Sequence, residues 1–258
     1  MHPIMFQIGG LTVYGYGFMI AIGIIAGVSY MAIEGKREVG LTFDQANILF
    51  LYIFLAAIIG GKFFLLLEDP SYFVSSPEKL LSGKGFVFYG SFLFAIPTML
   101  WFFKKNNLPV YRMLDVMAIT TCLVHMFGRI GCFLAGCCYG TATDSKLGVI
   151  YSHELCQADS KGVPLHPTQL YEAAFIFLVM ICIFFLRRKR SFYGQLFLAY
   201  MMLYAVARFG LEYFRGDAGR GYVLEPYLSH SQLVAFIIFT VVIFIYYRIS
   251  KRNQIAVS

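Results

Sequence analysis

Runs of about twenty mostly apolar residues recur along almost the whole chain, and they constrain it more than any other feature. About 20 such residues in a helix cross the hydrocarbon core of a bilayer. Inside that core each backbone N–H and C=O has to find its partner within the protein, so the runs read as helices. Apolar residues make up 59% of the 258 residues and charged ones 14%, against about 25% charged in an ordinary soluble domain. No polar stretch is long enough to hold a second, soluble core. The sequence therefore predicts an all-α integral membrane protein, one polytopic domain over 1–258. It predicts seven transmembrane helices, near 11–33, 47–67, 86–103, 113–134, 168–186, 195–214 and 231–247. The N-terminus has no basic region or small-residue cleavage site before the first run, so that span is read as its own insertion signal.

The formal net charge of +7 raises nucleic acid as a partner, and its placement argues against one. The basic residues sit in short loops beside apolar runs, where they set membrane orientation and meet anionic lipid. One set of loops holds Lys36 and Arg37, Lys104, Lys105 and Arg112, Arg187, Arg188, Lys189 and Arg190, and Arg248, Lys251 and Arg252. The other holds Lys79, Lys84, Lys146, Lys161, Arg215 and Arg220, mixed with acidic residues. The first set is denser and closer to the spans, which predicts a cytoplasmic C-terminus and an N-terminus outside. The polar excursion at 139–165, with Asp144, His153, Glu154 and Asp159, then becomes a small extracytoplasmic cap. No internal repeat is evident, which weakens a transporter reading.

Charged residues inside spans are expensive and mark function by default. In Gly128-Arg129-Ile130-Gly131-Cys132 an arginine sits at the end of an apolar run. Its guanidinium suits a phosphate, or it snorkels to the interface. Tyr204, Arg208 and Glu212 fall on one helical face, and Arg215 can join it. That stripe is either a site or a salt bridge that glues helices. In His166-Pro167-Thr168-Gln169-Leu170-Tyr171-Glu172, Gln169 and Glu172 share a face. His166 is a base, an electrophile or a loop residue with a structural hydrogen bond. Tyr14, Tyr16, Gly17, Phe88, Tyr89 and Gly90 read on composition as an interfacial aromatic belt. Cys132, Cys137, Cys138 and Cys156 gather on the outer side. Their spacing is not that of the usual zinc motifs, so a disulfide or inert thiols are favoured over a metal or a nucleophile.

Taken in order, these blocks resemble the bacterial prolipoprotein diacylglyceryl transferase family over nearly the full length. The resemblance rests on Tyr16-Gly17-Phe18-Met19, Gly85-Phe86-Val87-Phe88-Tyr89-Gly90, the stretch from Gly128 through Gly140, His166 through Glu172, and Tyr204 through Arg215. It implies a multi-pass enzyme of the bacterial inner membrane whose site faces outward. Such an enzyme transfers the diacylglyceryl group of phosphatidylglycerol to the lipobox cysteine of a preprolipoprotein signal peptide. A thioether forms and glycerol phosphate leaves, with no cofactor and no metal. Arg129 and Arg208 match the family's arginines, where cations stabilise the departing phosphate. Tyr204 orients phosphate or thiol, Tyr16 and Gly140 match functional positions, and Glu212 and Arg215 hold Arg208. Gln169, Glu172 and Cys132 complete the expected substrate site, and Tyr89 and His166 the expected catalytic set.

The chain departs from the family signature Gly-Arg-x-Gly-Asn-Phe-x-Asn-x-Glu-x-x-Gly. Cys132 stands for the first Asn, Ala135 for the second and Cys137 for the Glu. Tyr89 stands where many members carry a histidine, and a phenol is a poor base at neutral pH. Three rival readings follow: a transferase of the same fold with another acceptor, a lipid or anion transporter, and a thiol-redox protein built on Cys137 and Cys138.

Overall fold

The computed structural model describes residues 3–70, 87–158, 162–216, 221–225 and 227–255. Lys79, Lys84, Gly85, Phe86, Asp159, Lys161 and Arg220 of the sequence argument lie outside them. Seven helices occur among the described residues: α1 (Gly15–Val39), α2 (Phe43–Glu68), α3 (Phe88–Lys105), α4 (Val110–Ala135), α5 (Thr168–Leu186), α6 (Gln195–Leu211) and α7 (His230–Ile255). Six are long and apolar enough to cross a membrane. The other, α3, has 18 residues, with Pro97 inside and Lys104 and Lys105 in its last turn. At 1.5 Å per residue it reaches about 27 Å. Large apolar side chains such as Ile25, Leu67, Phe185 and Phe236 are exposed on these helices, an unfavourable surface in water and an ordinary one in lipid.

The first span begins later than the sequence suggested. Leu11–Tyr14 is strand β2, paired antiparallel with β1 (Ile4–Ile8). Gly9 and Gly10 connect them at φ +53° and +84°, the left-handed pair that a two-residue hairpin needs. The chain therefore reverses once before Gly15 opens α1. Two further hairpins are β3 (Val149–Ile150) with β4 (Pro164–Leu165), and β5 (Tyr222–Leu224) with β6 (Leu228–Ser229).

The chain forms two compact units, Met31–Met113 and Met1–Tyr30 with Leu114–Ser258. In the former, Thr42 and Gln45 make a reciprocal capping box at the start of α2. Helices α2 and α3 cross where Gly60 and Gly90 each face the other's carbonyl oxygen, so neither has room for a Cβ. Small residues at a crossing let helix backbones approach closely in lipid.

In the latter unit, Gly23 and Gly27 of α1 lie against Phe127 and Val124 of α4, where an added Cβ would come within 2.9 Å and 2.8 Å of those side chains. Ala118, Ile119 and Cys122 of α4, Ile176, Val179 and Ile183 of α5, and Leu196 and Tyr200 of α6 form a buried core. Asp115, a costly charge in a span, caps a neighbouring helix. Its carboxylate accepts the backbone N–H of Gly194, Leu196 and Phe197 at 2.9, 2.9 and 3.3 Å. Those amides at the start of α6 have no partner within the helix, so a carboxylate from α4 satisfies them. The cap predicted at 139–165 carries its own small core of Tyr139, Tyr151, Cys156, Ala158 and Leu165 beside the β3–β4 hairpin.

Candidate active site

The last two turns of α4 start the site. Arg129 and Cys132 lie one turn apart on them. Gly136, at φ +73°, ends the helix in the left-handed conformation that favours glycine. The Cys137 N–H then reaches back to the Cys132 carbonyl at 3.2 Å. Cys138 also takes a left-handed φ, +61°, which an L side chain rarely adopts. Two side chains from the first turn of α5 hold this bend. Gln169 Nε2 donates to the Cys137 carbonyl at 2.6 Å, and the Thr168 hydroxyl donates to the Cys138 carbonyl at 2.7 Å. Gln169 is 1% exposed, and its Oε1 accepts from Tyr151 at 3.2 Å. As a result the Cys132, Cys137 and Cys138 sulfurs all lie within 4.8 Å of one another. All six cysteines are free thiols.

Glu172, one turn further along α5, is the second anchor. Its Oε1 accepts the Tyr204 hydroxyl at 2.8 Å and lies 3.1 Å from Arg129 Nη2 and 3.3 Å from His125 Nε2. The carboxylate is 3% exposed, and a buried charge of this kind needs several partners. One oxygen thereby ties α4, α5 and α6 together. The His125 ring also meets the edge of Tyr204, with centroids 5.0 Å apart.

Arg208, one turn beyond Tyr204 on α6, is held from two sides. Its Nη1 lies 2.8 Å from Glu212 Oε2, and its Nη2 donates to the Ser231 hydroxyl at 3.1 Å. Ser231 is placed by a capping box at the start of α7, where Ser229 and Gln232 exchange side-chain and backbone hydrogen bonds. The salt bridge expected within the α6 stripe is present, between Arg208 and Glu212.

Gly140 is wedged between two segments. Its N–H donates to the His166 carbonyl at 2.8 Å, and it bridges to Arg215. A Cβ there would lie 2.5 Å from both His166 Cβ and the Phe214 carbonyl oxygen. His166 Nδ1 lies 3.1 Å from the Tyr171 hydroxyl, and its ring packs edge-on to Phe214. Tyr16, 46% exposed, packs over Gly131, where an added Cβ would meet it at 3.2 Å. Tyr16 is in electrostatic range of Arg129 and of the three clustered thiols. The Cys137 S–H donates to the Cys132 carbonyl at 3.7 Å, and hydrogen bonding with the Cys132 and Cys137 side chains, helped by Arg215 and Arg129, holds the Cys138 thiol well below the usual range. Hydrogen bonding to Cys132 and Cys138, together with burial, pushes Cys137 up.

The structure thus brings Arg129, Glu172 and Tyr204 together through one carboxylate, and Gln169 to the cysteine bend. Tyr89 belongs to the Met31–Met113 unit, where it opens α3 and is 56% exposed. His125 was not among the expected site residues. Its signal was present, since an intramembrane histidine is itself a polar residue in an expensive place.

Comparison with known proteins gives a consistent picture. Residues 3–248 match the family model described as prolipoprotein diacylglyceryl transferase. The chain is 36% identical over 247 residues to a phosphatidylglycerol–prolipoprotein diacylglyceryl transferase of Clostridium tetani, covering 95% of this chain and 96% of that one. It is 30% identical over 253 residues to the protein of that name in Dehalococcoides mccartyi, covering 98% and 95%. A Campylobacter jejuni protein of the same name is 30% identical over 259 residues, with 94% and 92% covered.

Proposed function

The chain belongs to the prolipoprotein diacylglyceryl transferase family, and from that premise we propose how its polar cluster carries out the transfer. It is a multi-pass membrane transferase of lipoprotein biosynthesis that moves the diacylglyceryl group of phosphatidylglycerol to prolipoproteins. The acceptor in the proposed reaction is the thiol of a lipobox cysteine in the signal peptide. Sulfur attacks the glyceryl carbon, the carbon–oxygen bond to phosphate breaks, and glycerol phosphate departs with the electron pair.

The observation that carries this reading is the carboxylate hub. Arg129 is fixed by Glu172 at 3.1 Å and Arg208 by Glu212 at 2.8 Å. Each guanidinium has five N–H donors, so a carboxylate can orient it while other donors meet phosphate. Rigid cations aimed at an oxygen that gains charge stabilise the transition state without reorganising. Tyr204 lies one turn from Arg208 and bonds the same Glu172 oxygen as Arg129, which suits it to set the phosphate between the two cations. Gly140 and Tyr16 border the acceptor's approach. His166 Nδ1 faces Tyr171, and the Nε2 of its ring is the atom suited to receive a proton.

Orientation follows from charge. The site collects the C-terminal ends of α4 and α6 and the N-terminal ends of α5 and α7. Arg187, Arg188 and Lys189 follow α5, and Arg248 and Lys251 lie near the end of α7, all at the opposite ends of those helices. That end is the cytoplasmic one by the excess of lysine and arginine. The site then opens at the outer face of the bacterial inner membrane.

The test is transfer of labelled diacylglyceryl from phosphatidylglycerol to a lipobox peptide by the purified protein. Transfer by the intact chain, lost in Arg208→Ala and with a serine lipobox peptide, is expected. Transfer to the serine peptide at the same rate would reject a thiol acceptor.

A further inference from the structure

We propose that Cys132, Cys137 and Cys138 form a three-thiolate site for Zn2+, and that the fourth position of the metal takes the acceptor thiol of the transfer reaction. The inference rests on the transferase reading for the identity of that thiol, and on the geometry of this chain for the metal.

Sequence spacing argued against a metal because Cys132-x4-Cys137-Cys138 is not one of the usual zinc spacings. The fold supplies another route to convergence. Cys132 comes from the last turn of α4, Cys137 returns to it through its backbone N–H, and Cys138 completes the set from a left-handed residue. Backbone strain of that kind persists where the surroundings enforce it, and it concentrates at functional sites. Here Gln169 and Thr168 enforce it through hydrogen bonds of 2.6 and 2.7 Å to the two carbonyls. The sulfurs lie within 4.8 Å of one another. A tetrahedral zinc with Zn–S bonds of about 2.3 Å places its sulfurs about 3.8 Å apart, within reach of small side-chain rotations.

Three protein ligands and one open position are the pattern of a reactive zinc rather than a structural one. Three thiolates and Zn2+ carry one net negative charge, and Arg129 and Arg215 lie in electrostatic range of Cys138 to offset it. The site therefore stands beside the arginine assigned to the leaving phosphate. This juxtaposition supplies a means of ionising the acceptor, besides the His166 ring, where a phenol replaces an imidazole.

On coordination the acceptor thiol gives its proton to solvent, because a metal-bound thiol is deprotonated. The zinc-bound sulfur uses an electron pair to form the carbon–sulfur bond. The carbon–oxygen bond breaks, and its electrons leave on glycerol phosphate. The product thioether is neutral and a weaker donor than a thiolate, so it leaves the metal and frees the fourth position. No oxidation or reduction occurs.

The experiment is Co2+ titration of the reduced, metal-free protein in detergent, followed by absorbance. One Co2+ per chain is expected, with a sulfur-to-cobalt charge-transfer band in the near ultraviolet. The band should be lost in the triple variant Cys132→Ser, Cys137→Ser, Cys138→Ser, weakened in each single variant, and kept in Cys182→Ser, which changes an exposed thiol on α5. A lipobox peptide with its cysteine should shift the visible d–d bands, and the serine peptide should not. Transfer should be lost on chelation and regained with Zn2+. A cobalt spectrum without the charge-transfer band, or one unchanged in the triple variant, overturns the site. A spectrum indifferent to the thiol peptide, or undiminished transfer by metal-free protein, overturns the role at the fourth position. A spectrum that responds to the thiol peptide in a protein that never transfers diacylglyceryl keeps the site and rejects the transferase reading instead.

Discussion

Arg129 and Tyr204, on different helices, share one acceptor: Nη2 of the arginine lies 3.1 Å from Glu172 Oε1, and the tyrosine hydroxyl donates to the same oxygen at 2.8 Å. Arg129, the cation proposed to bind phosphate, and the Tyr204 phenol are thus placed relative to each other by a third residue.

Glu172→Gln tests that placement. The amide keeps the volume and one acceptor oxygen, and it removes the charge that draws Arg129 and His125 inward. A positioning error of about 1 Å costs about 10²-fold in rate, so kcat should fall by that order while KM for phosphatidylglycerol changes less. A kcat equal to that of the parent would show that Glu172 only glues helices.

Arg208→Lys keeps the charge and loses the fork that reaches Glu212 and Ser231 together. Losing one well-aimed donor costs about 10²–10³-fold in kcat, and a lysine is not a substitute at a forked site. Steady-state transfer should show that loss with no change in thermal unfolding beyond a few degrees.

Gly140→Ala should unfold at a lower temperature, because the new methyl would meet His166 Cβ and the Phe214 carbonyl oxygen at 2.5 Å. Overpacking of this kind costs about 1–3 kcal/mol. Gly210→Ala, within α6 and with nothing within 4 Å of the added carbon, should leave stability unchanged or raise it by up to about 1 kcal/mol. Differential scanning of the two variants in the same detergent checks the contrast.

Orientation is tested with a membrane-impermeant maleimide on intact cells. Lys146→Cys places a thiol on the exposed excursion after α4, and Lys189→Cys places one in the exposed turn after α5. The first should label above the parent background from outside, and the second only after the membrane is opened. The reverse pattern would invert the topology.

The helices were legible because a span in lipid announces itself by an uninterrupted apolar run. The α6 stripe was legible because Tyr204, Arg208 and Glu212 repeat every four residues, which is a local property of one helix. The Glu172 hub was not, since Arg129 and His125 reach it from α4 and no periodicity records which helix faces which. The thiol convergence was hidden for a different reason. It depends on the backbone at Gly136 and Cys138 turning left-handed, and on two donors from α5 that are about thirty residues away in sequence. The N-terminal hairpin was missed although Gly9-Gly10 is a strong turn pair, because the apolar β2 residues blend into the run that follows.

The capping of α6 by Asp115 has a consequence for biogenesis. The segment Gln195–Phe214 is the least apolar of the six membrane-spanning candidates and carries Arg208 and Glu212 across the bilayer. Its first amides are satisfied by a side chain made some eighty residues earlier in synthesis. Until that helix arrives, the Asp115 carboxylate in the second turn of α4 lacks these amide partners, and a charge in a span costs up to about 2.5–3.5 kcal/mol, the value at the helix centre. Each helix is therefore a poor passenger alone and a good one in company, which makes their meeting a checkpoint that a truncated nascent chain cannot pass.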